Sequence, residues 1–185
     1  MAQKIKQELA AERFIGPFTA PPFEPTIISP VRMAPKSGAE EGLTEAQIAS
    51  PWFQMNKKNH RLIHNLSHPH GCESVNSHIP ESASRVHYQS FDDAVELCRA
   101  SGPDCFMAKA DLHNAFRQLP VRRDNIPLLG FKFNNQFFYN TVLPFGCSSS
   151  CQIFEKFSSA LHWAVSLLNS LDNPLSRRFP FRPCL

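Results

Sequence analysis

Apolar residues change their spacing several times along this chain, and each change marks a predicted element. Residues 1–13, with Ile5-Lys6-Gln7-Glu8-Leu9-Ala10-Ala11, have a helix-forming composition that predicts a short amphipathic helix. Residues 14–36 carry six Pro among Phe and Ile. Each ring removes a donor and restricts the residue before it, so no regular helix fits. The apolar residues between them predict an extended path across a folded surface. Residues 37–59 are polar with few strand formers, Leu43–Ser50 being at most a short helix, and read as an insertion or loop.

From His60 the pattern tightens. Arg61–Leu66 is strand-like and His68-Pro69-His70-Gly71 predicts a turn. Ser90-Phe91-Asp92-Asp93 opens a helix with a capping box, Ala94, Leu97 and Cys98 continue one face, and Gly102-Pro103 stops it. Cys105–Ala110 predicts a buried strand running into Asp111. Leu128–Phe133 and Gln136–Val142 flank Asn134-Asn135, the pattern of a hairpin. A last helix repeats Ile153, Phe154, Phe157, Ala160, Leu161, Ala164 and Leu168, with Ser149 and Gln152 as its capping box. From Asn169 the periodicity ends, and residues 169–185, with three Pro and three Arg, read as a divergent, disordered tail.

Composition narrows the function classes. The 185 residues allow one ordinary domain, and sixteen Phe can supply a core. The net charge of +3 is spread along the chain, without a polybasic or acidic tail. No run approaches the roughly 18–20 apolar residues of a membrane span. Met1–Ala11 lacks the apolar centre of a signal peptide, which predicts an intracellular chain with its six Cys reduced. His64, His68, His70 and Cys72 do not match the spacing of a standard zinc finger.

Three segments carry candidate chemistry. Asp111, at the end of an apolar strand, is placed either to bind a divalent cation in a cleft or to cap a turn. Leu143-Pro144-Phe145-Gly146 opens the last helix; Gly146 admits a close backbone or ligand, and the alternative is a plain helix start. Lys57, Lys58 and Arg61 form a basic cluster that fits either a phosphate clamp or a solvated strand edge.

In this order and spacing, the segments resemble reverse transcriptases, most closely those of DIRS-like tyrosine-recombinase retrotransposons. Phe14-Ile15-Gly16-Pro17-Phe18, Pro21-Pro22, Ile28-Ser29-Pro30 and Ala34-Pro35-Lys36 resemble the family's lead-in. Arg61–Ser67 with Ser74-Val75-Asn76 resembles its fingers motif, and Ser90–Ala94 the following helix. Phe106–Val121 resembles palm motif A and Leu143–Gly146 motif B. The resemblance covers residues 13–36 and 60–165. It implies an α+β fold, the partial fingers and palm of a right-hand polymerase, with 1–36 as lead-in and 60–168 as the folded part.

The resemblance also implies roles. Asp111 would be the first catalytic carboxylate, shared by two Mg²⁺ ions in nucleotidyl transfer. Phe116 would lie under the incoming sugar and Ala115 beside the nucleotide. Arg61 would neutralise triphosphate charge, with Lys57 or Lys58 assisting at the nucleic acid, and Phe145 and Gly146 would line the nucleotide pocket. The implied partners are an RNA or DNA primer–template and a deoxynucleoside triphosphate. The chain departs from the family in the length of residues 39–58 and in its Pro- and Arg-rich tail. No Tyr-x-Asp-Asp of motif C follows residue 165, and Asp92-Asp93 precedes motif A. The expectation is an incomplete reverse-transcriptase-like domain that does not polymerise by itself. The alternatives are a non-catalytic nucleic-acid- or protein-binding fragment, or a truncated product that does not fold stably.

Overall fold

The computed structural model describes residues 1–35, 60–71, 73–86, 88, 90–103 and 111–172. The elements are α1 (Ala2–Ala10), β1 (Phe14–Phe18), β2 (Val31–Pro35), β3 (His60–His64), α2 (Phe91–Ser101), β4 (Gly130–Phe133), β5 (Gln136–Asn140) and α3 (Ser150–Asp172). Among the described residues, β1, β5 and β4 form one antiparallel sheet in that order, and β2 pairs with β3 in a second. The segments expected at Leu43–Ser50 and Cys105–Ala110, with Lys57, Lys58 and Cys72, lie outside the described residues.

Local chemistry explains most of these elements. Helix α1 ends where Glu12 turns left-handed at φ 56°, with Arg13 N–H donating to the Glu8 carbonyl at 2.9 Å and Glu12 N–H to that of Leu9 at 3.0 Å. That pair of bonds is a Schellman closure. Asn134 and Asn135, at φ 48° and 59°, both take the left-handed conformation that a two-residue hairpin turn needs, and Phe133 faces Gln136 across it. Strand β1 sits at the sheet edge, where Pro17 breaks no ladder, and its register slips between Ile15 and Phe18 in a bulge. The Pro-rich lead-in thus supplies a sheet strand as well as a surface path.

Ile5, Phe14, Phe131 and Phe138 form the buried cluster, with Met1, Leu9, Val31, Leu62 and Phe133 packed against it. Phe131 stacks on Phe138 at 5.4 Å and meets the edge of Phe14 at 5.0 Å. Gly130 allows the chain before β2 to pack against the first sheet. A Cβ there would fall 2.6 Å from Ile28 Cδ1 and 2.7 Å from Tyr139 Cε1, and its carbonyl accepts from Ser29 N–H at 2.9 Å.

Two helices differ from expectation. Ser90 and Asp93 make the reciprocal capping box of α2, and Gly102 ends it at φ 83°, yet none of its residues is buried. Its apolar face is largely open: Phe91 is 82% and Leu97 44% exposed. Helix α3 continues through Asp172, past the break in periodicity expected at Asn169. At its start Gln152 Nε2 donates to the Ser82 carbonyl at 2.7 Å instead of closing a capping box with Ser149. Trp163, on the same helix, is 62% exposed.

Candidate nucleotide cleft

The segment after Asp111 lacks a strand of its own and is held against the end of β5. Val121 N–H donates to the Thr141 carbonyl at 2.8 Å and Leu143 N–H to that of Leu119 at 2.9 Å, bridging Pro120 to Val142. Before this bridge, Asn114 turns left-handed at φ 57° and Ala115–Gln118 makes a single tight helical turn. The chain beyond β5 then reaches β3, where the Phe145 carbonyl accepts from His64 N–H at 2.8 Å. Strand β3, the tight turn and Pro144-Phe145 ahead of α3 are thereby drawn around one space.

That space is a cavity of about 1300 Å³, and its lining includes Arg61, Asp111, Ala115, Phe116 and Phe145. Phe116 packs between Phe145 at 5.4 Å and Phe154 at 5.5 Å, and the Arg61 guanidinium lies 5.8 Å from the centre of the Phe145 ring. Asp111 is exposed at the rim. Five of the residues singled out from sequence therefore meet at one cleft.

Gly146 does not line it. Its φ of 111° and the His64 carbonyl, with which a Cβ would collide, make it a backbone contact between this turn and β3. Asn76 fastens the same turn: its Nδ2 donates to Ser67 Oγ and to the Gly146 carbonyl, both at 2.8 Å, and its Oδ1 accepts from Ser148 N–H at 3.0 Å. Replacing Asn76 by Ala is expected to cost about 1–2 kcal/mol in urea unfolding, because four groups, Ser148 Oγ being the fourth, lose a partner at once.

The base of the cleft is a buried polar chain without an assigned role in the sequence. Glu8 receives Arg117 Nη2 and Arg13 Nε at 2.8 Å each, with Lys4 Nζ at 3.3 Å. Arg117 Nη1 donates to Asn140 Oδ1 at 2.8 Å, and Asn140 Nδ2 lies 3.2 Å from His64 Nδ1. His64 Nε2 completes the chain 3.1 Å from the Gly130 carbonyl. The ring is neutral, with its proton on Nε2, since only that tautomer accepts from Asn140 and donates to Gly130.

Burial pushes the His64 ring down to about 4, its hydrogen bonds and the Arg117 charge being smaller influences. For Glu8, burial pushes the carboxyl up, but hydrogen bonds and charge from Arg13 and Arg117 outweigh it and hold the group at about 2. One signal of this network was present in the sequence: Glu8 shares a helical face with Ile5 and Met1. A charge on an apolar stripe needs a buried partner.

Mg²⁺ demands near-octahedral oxygen ligands. The cleft offers Asp111, while its other carboxylate, Glu8, is taken up by Lys4, Arg13 and Arg117. No group of three or more His, Cys, Asp or Glu among the described residues could hold a metal ion. This donor set does not fit a protein-held pair of Mg²⁺ ions.

Among the described residues no helix is long and apolar enough to cross a membrane. Compared with known protein families, with curated proteins and with solved structures, the chain matches none of them.

Proposed function

We propose that this chain is an incomplete reverse-transcriptase-like domain of retrotransposon origin, acting inside the cell. It binds a nucleotide or a primer–template in the cleft and does not polymerise by itself. One observation carries the reading. Arg61, Asp111, Ala115, Phe116 and Phe145 come from three separate stretches of chain, and all five border one cavity. The resemblance assigns Asp111 to catalysis and the other four, together with Gly146, to the nucleotide.

The side chains suit such a ligand. Phe116 and Phe145 offer apolar faces for a sugar or base, and Arg61 offers a planar cation for phosphate oxygens. Asp111 would face a cation carried in by the triphosphate itself. With Asp111 the one available carboxylate among the cleft's described residues, the side chains suit binding better than two-metal transfer.

Primer extension in Mg²⁺ or Mn²⁺, comparing the chain with Asp111→Ala, tests the chemistry. No extension is expected from either. Extension that vanishes with Asp111→Ala would show an active polymerase. Titration with a fluorescent deoxynucleoside triphosphate tests the cleft, and Arg61→Ala and Phe116→Ala are each expected to weaken binding about tenfold, equivalent to roughly 1.4 kcal/mol. If neither nucleotide nor primer–template binds, the reading falls.

A further inference from the structure

We infer that Glu8 and Arg117 are a positioning pair: α1 is fastened through them to the turn bearing Ala115 and Phe116, and so holds one wall of the cleft. The inference rests on the nucleotide reading for its functional consequence and on geometry for the rest.

Arg117 directly follows Phe116 in the tight turn Ala115–Gln118. In such a turn neighbouring side chains diverge by about 120°, so fixing one direction fixes the others. The Arg117 side chain is 7% exposed, and it touches four separate parts of the chain. It reaches Glu8 of α1 through Nη2 at 2.8 Å and Nε at 3.2 Å. It reaches Asn140 of β5 at 2.8 Å and the Leu143 carbonyl at 3.3 Å. Its guanidinium lies 5.2 Å from the centre of the Phe14 ring of β1.

The turn's own backbone bonds are few. Ala115 N–H donates to the Leu112 carbonyl at 3.2 Å, Arg117 N–H to that of Asn114 at 2.6 Å, and Leu119 N–H to that of Phe116 at 3.1 Å. A buried ion pair contributes little net stability over apolar residues of similar size, because both charges must be desolvated. What it adds is direction, since the planar guanidinium accepts only one arrangement of its four partners. An apolar side chain would fill the same space and leave the turn free to rotate.

The test uses the full chain with Glu8→Gln, with Arg117→Met, and with the double change Glu8→Leu/Arg117→Met, which removes both charges together. Three readouts are taken: thermal unfolding, amide exchange at Ala115, Arg117 and Leu119 against that of β4 and β5, and titration with a fluorescent deoxynucleoside triphosphate. The double variant is expected to unfold nearer the parent's temperature than either single variant, each of which leaves one charge buried without its main partner. Its turn amides should nonetheless exchange roughly tenfold faster while the hairpin is unchanged, and nucleotide binding should weaken roughly tenfold. Parental exchange in the double variant would overturn the inference, reducing the pair to packing. Loss of the hairpin's protection together with the turn's would overturn it as well, since the pair would then hold the whole fold. A parent chain that binds no nucleotide, with the expected exchange result, leaves the positioning pair standing and removes only the nucleotide reading.

Discussion

Replacing Gly146 by Ala is expected to destabilise the protein by roughly 3 kcal/mol, read as a fall in the urea midpoint. Two costs combine. At φ 111° an L side chain is strained, and the new Cβ would collide with the His64 carbonyl, a backbone atom in a paired strand. A flexible side chain could retreat, whereas β3 cannot without breaking its register with β2. Retreat of the turn instead would part the Phe145 carbonyl from His64 N–H and the Gly146 carbonyl from Asn76. Gly102→Ala is the control, because φ there is 83° and nothing lies within 4 Å of a Cβ. It should cost only about 1 kcal/mol, the strain alone. Equal losses at the two positions would show that the turn can withdraw from β3 freely.

The second large effect is a loss of stability on mild acidification. An unfolded His64 takes up a proton as pH falls through 6.5, whereas the folded ring resists until about 4. The unfolded state therefore binds more protons across that window, and stability falls as pH drops from 6.5 to 4. The contribution is complete above pH 6.5, and its loss amounts to about 3 kcal/mol. Glu8 acts in the same direction at lower pH. Its folded value of about 2 lies below the ordinary 4.5, so its contribution is lost only between those two values. Urea midpoints at pH 7.5, 6.5, 4.5 and 3 separate the two groups. In His64→Gln the slope between pH 6.5 and 4.5 should largely vanish; a slope equal to the parent's would assign the acid sensitivity elsewhere.

Both effects arise from contacts that join β3 to distant chain, and they show which kind of information a sequence carries openly. The hairpin was legible because Asn134 and Asn135 meet the left-handed requirement of a two-residue turn by themselves. The start of α2 was legible because Ser90 and Asp93 satisfy each other three residues apart. The apolar repeat of α3 announced a helix, although Ile153, Phe157 and Leu161 are each more than 40% exposed. Periodicity shows that a face exists, and it does not show whether anything covers it.

The candidate cleft was legible in part. Arg61, Asp111, Ala115, Phe116 and Phe145 could be singled out from their segments and from the family resemblance, whereas their convergence on one cavity is a tertiary fact. Gly146 was read as pocket lining and is a contact between two backbones. Ser149 and Gln152 had the spacing of a capping box, yet Gln152 found a partner in Ser82, seventy residues away.

By itself the amino-acid order determined what can be satisfied within a few residues: α1, the capping of α2, the hairpin turn and the exclusion of helix from the Pro-rich lead-in. Those choices depend on steric and hydrogen-bonding preferences that act within about one turn of chain. Only the tertiary structure decided that Glu8 would meet Arg117 across 109 residues and His64 would meet Asn140 across 76. Such partners are chosen by burial. Once the apolar residues around them leave water, each polar group must take whatever complementary group the packed backbone brings within reach.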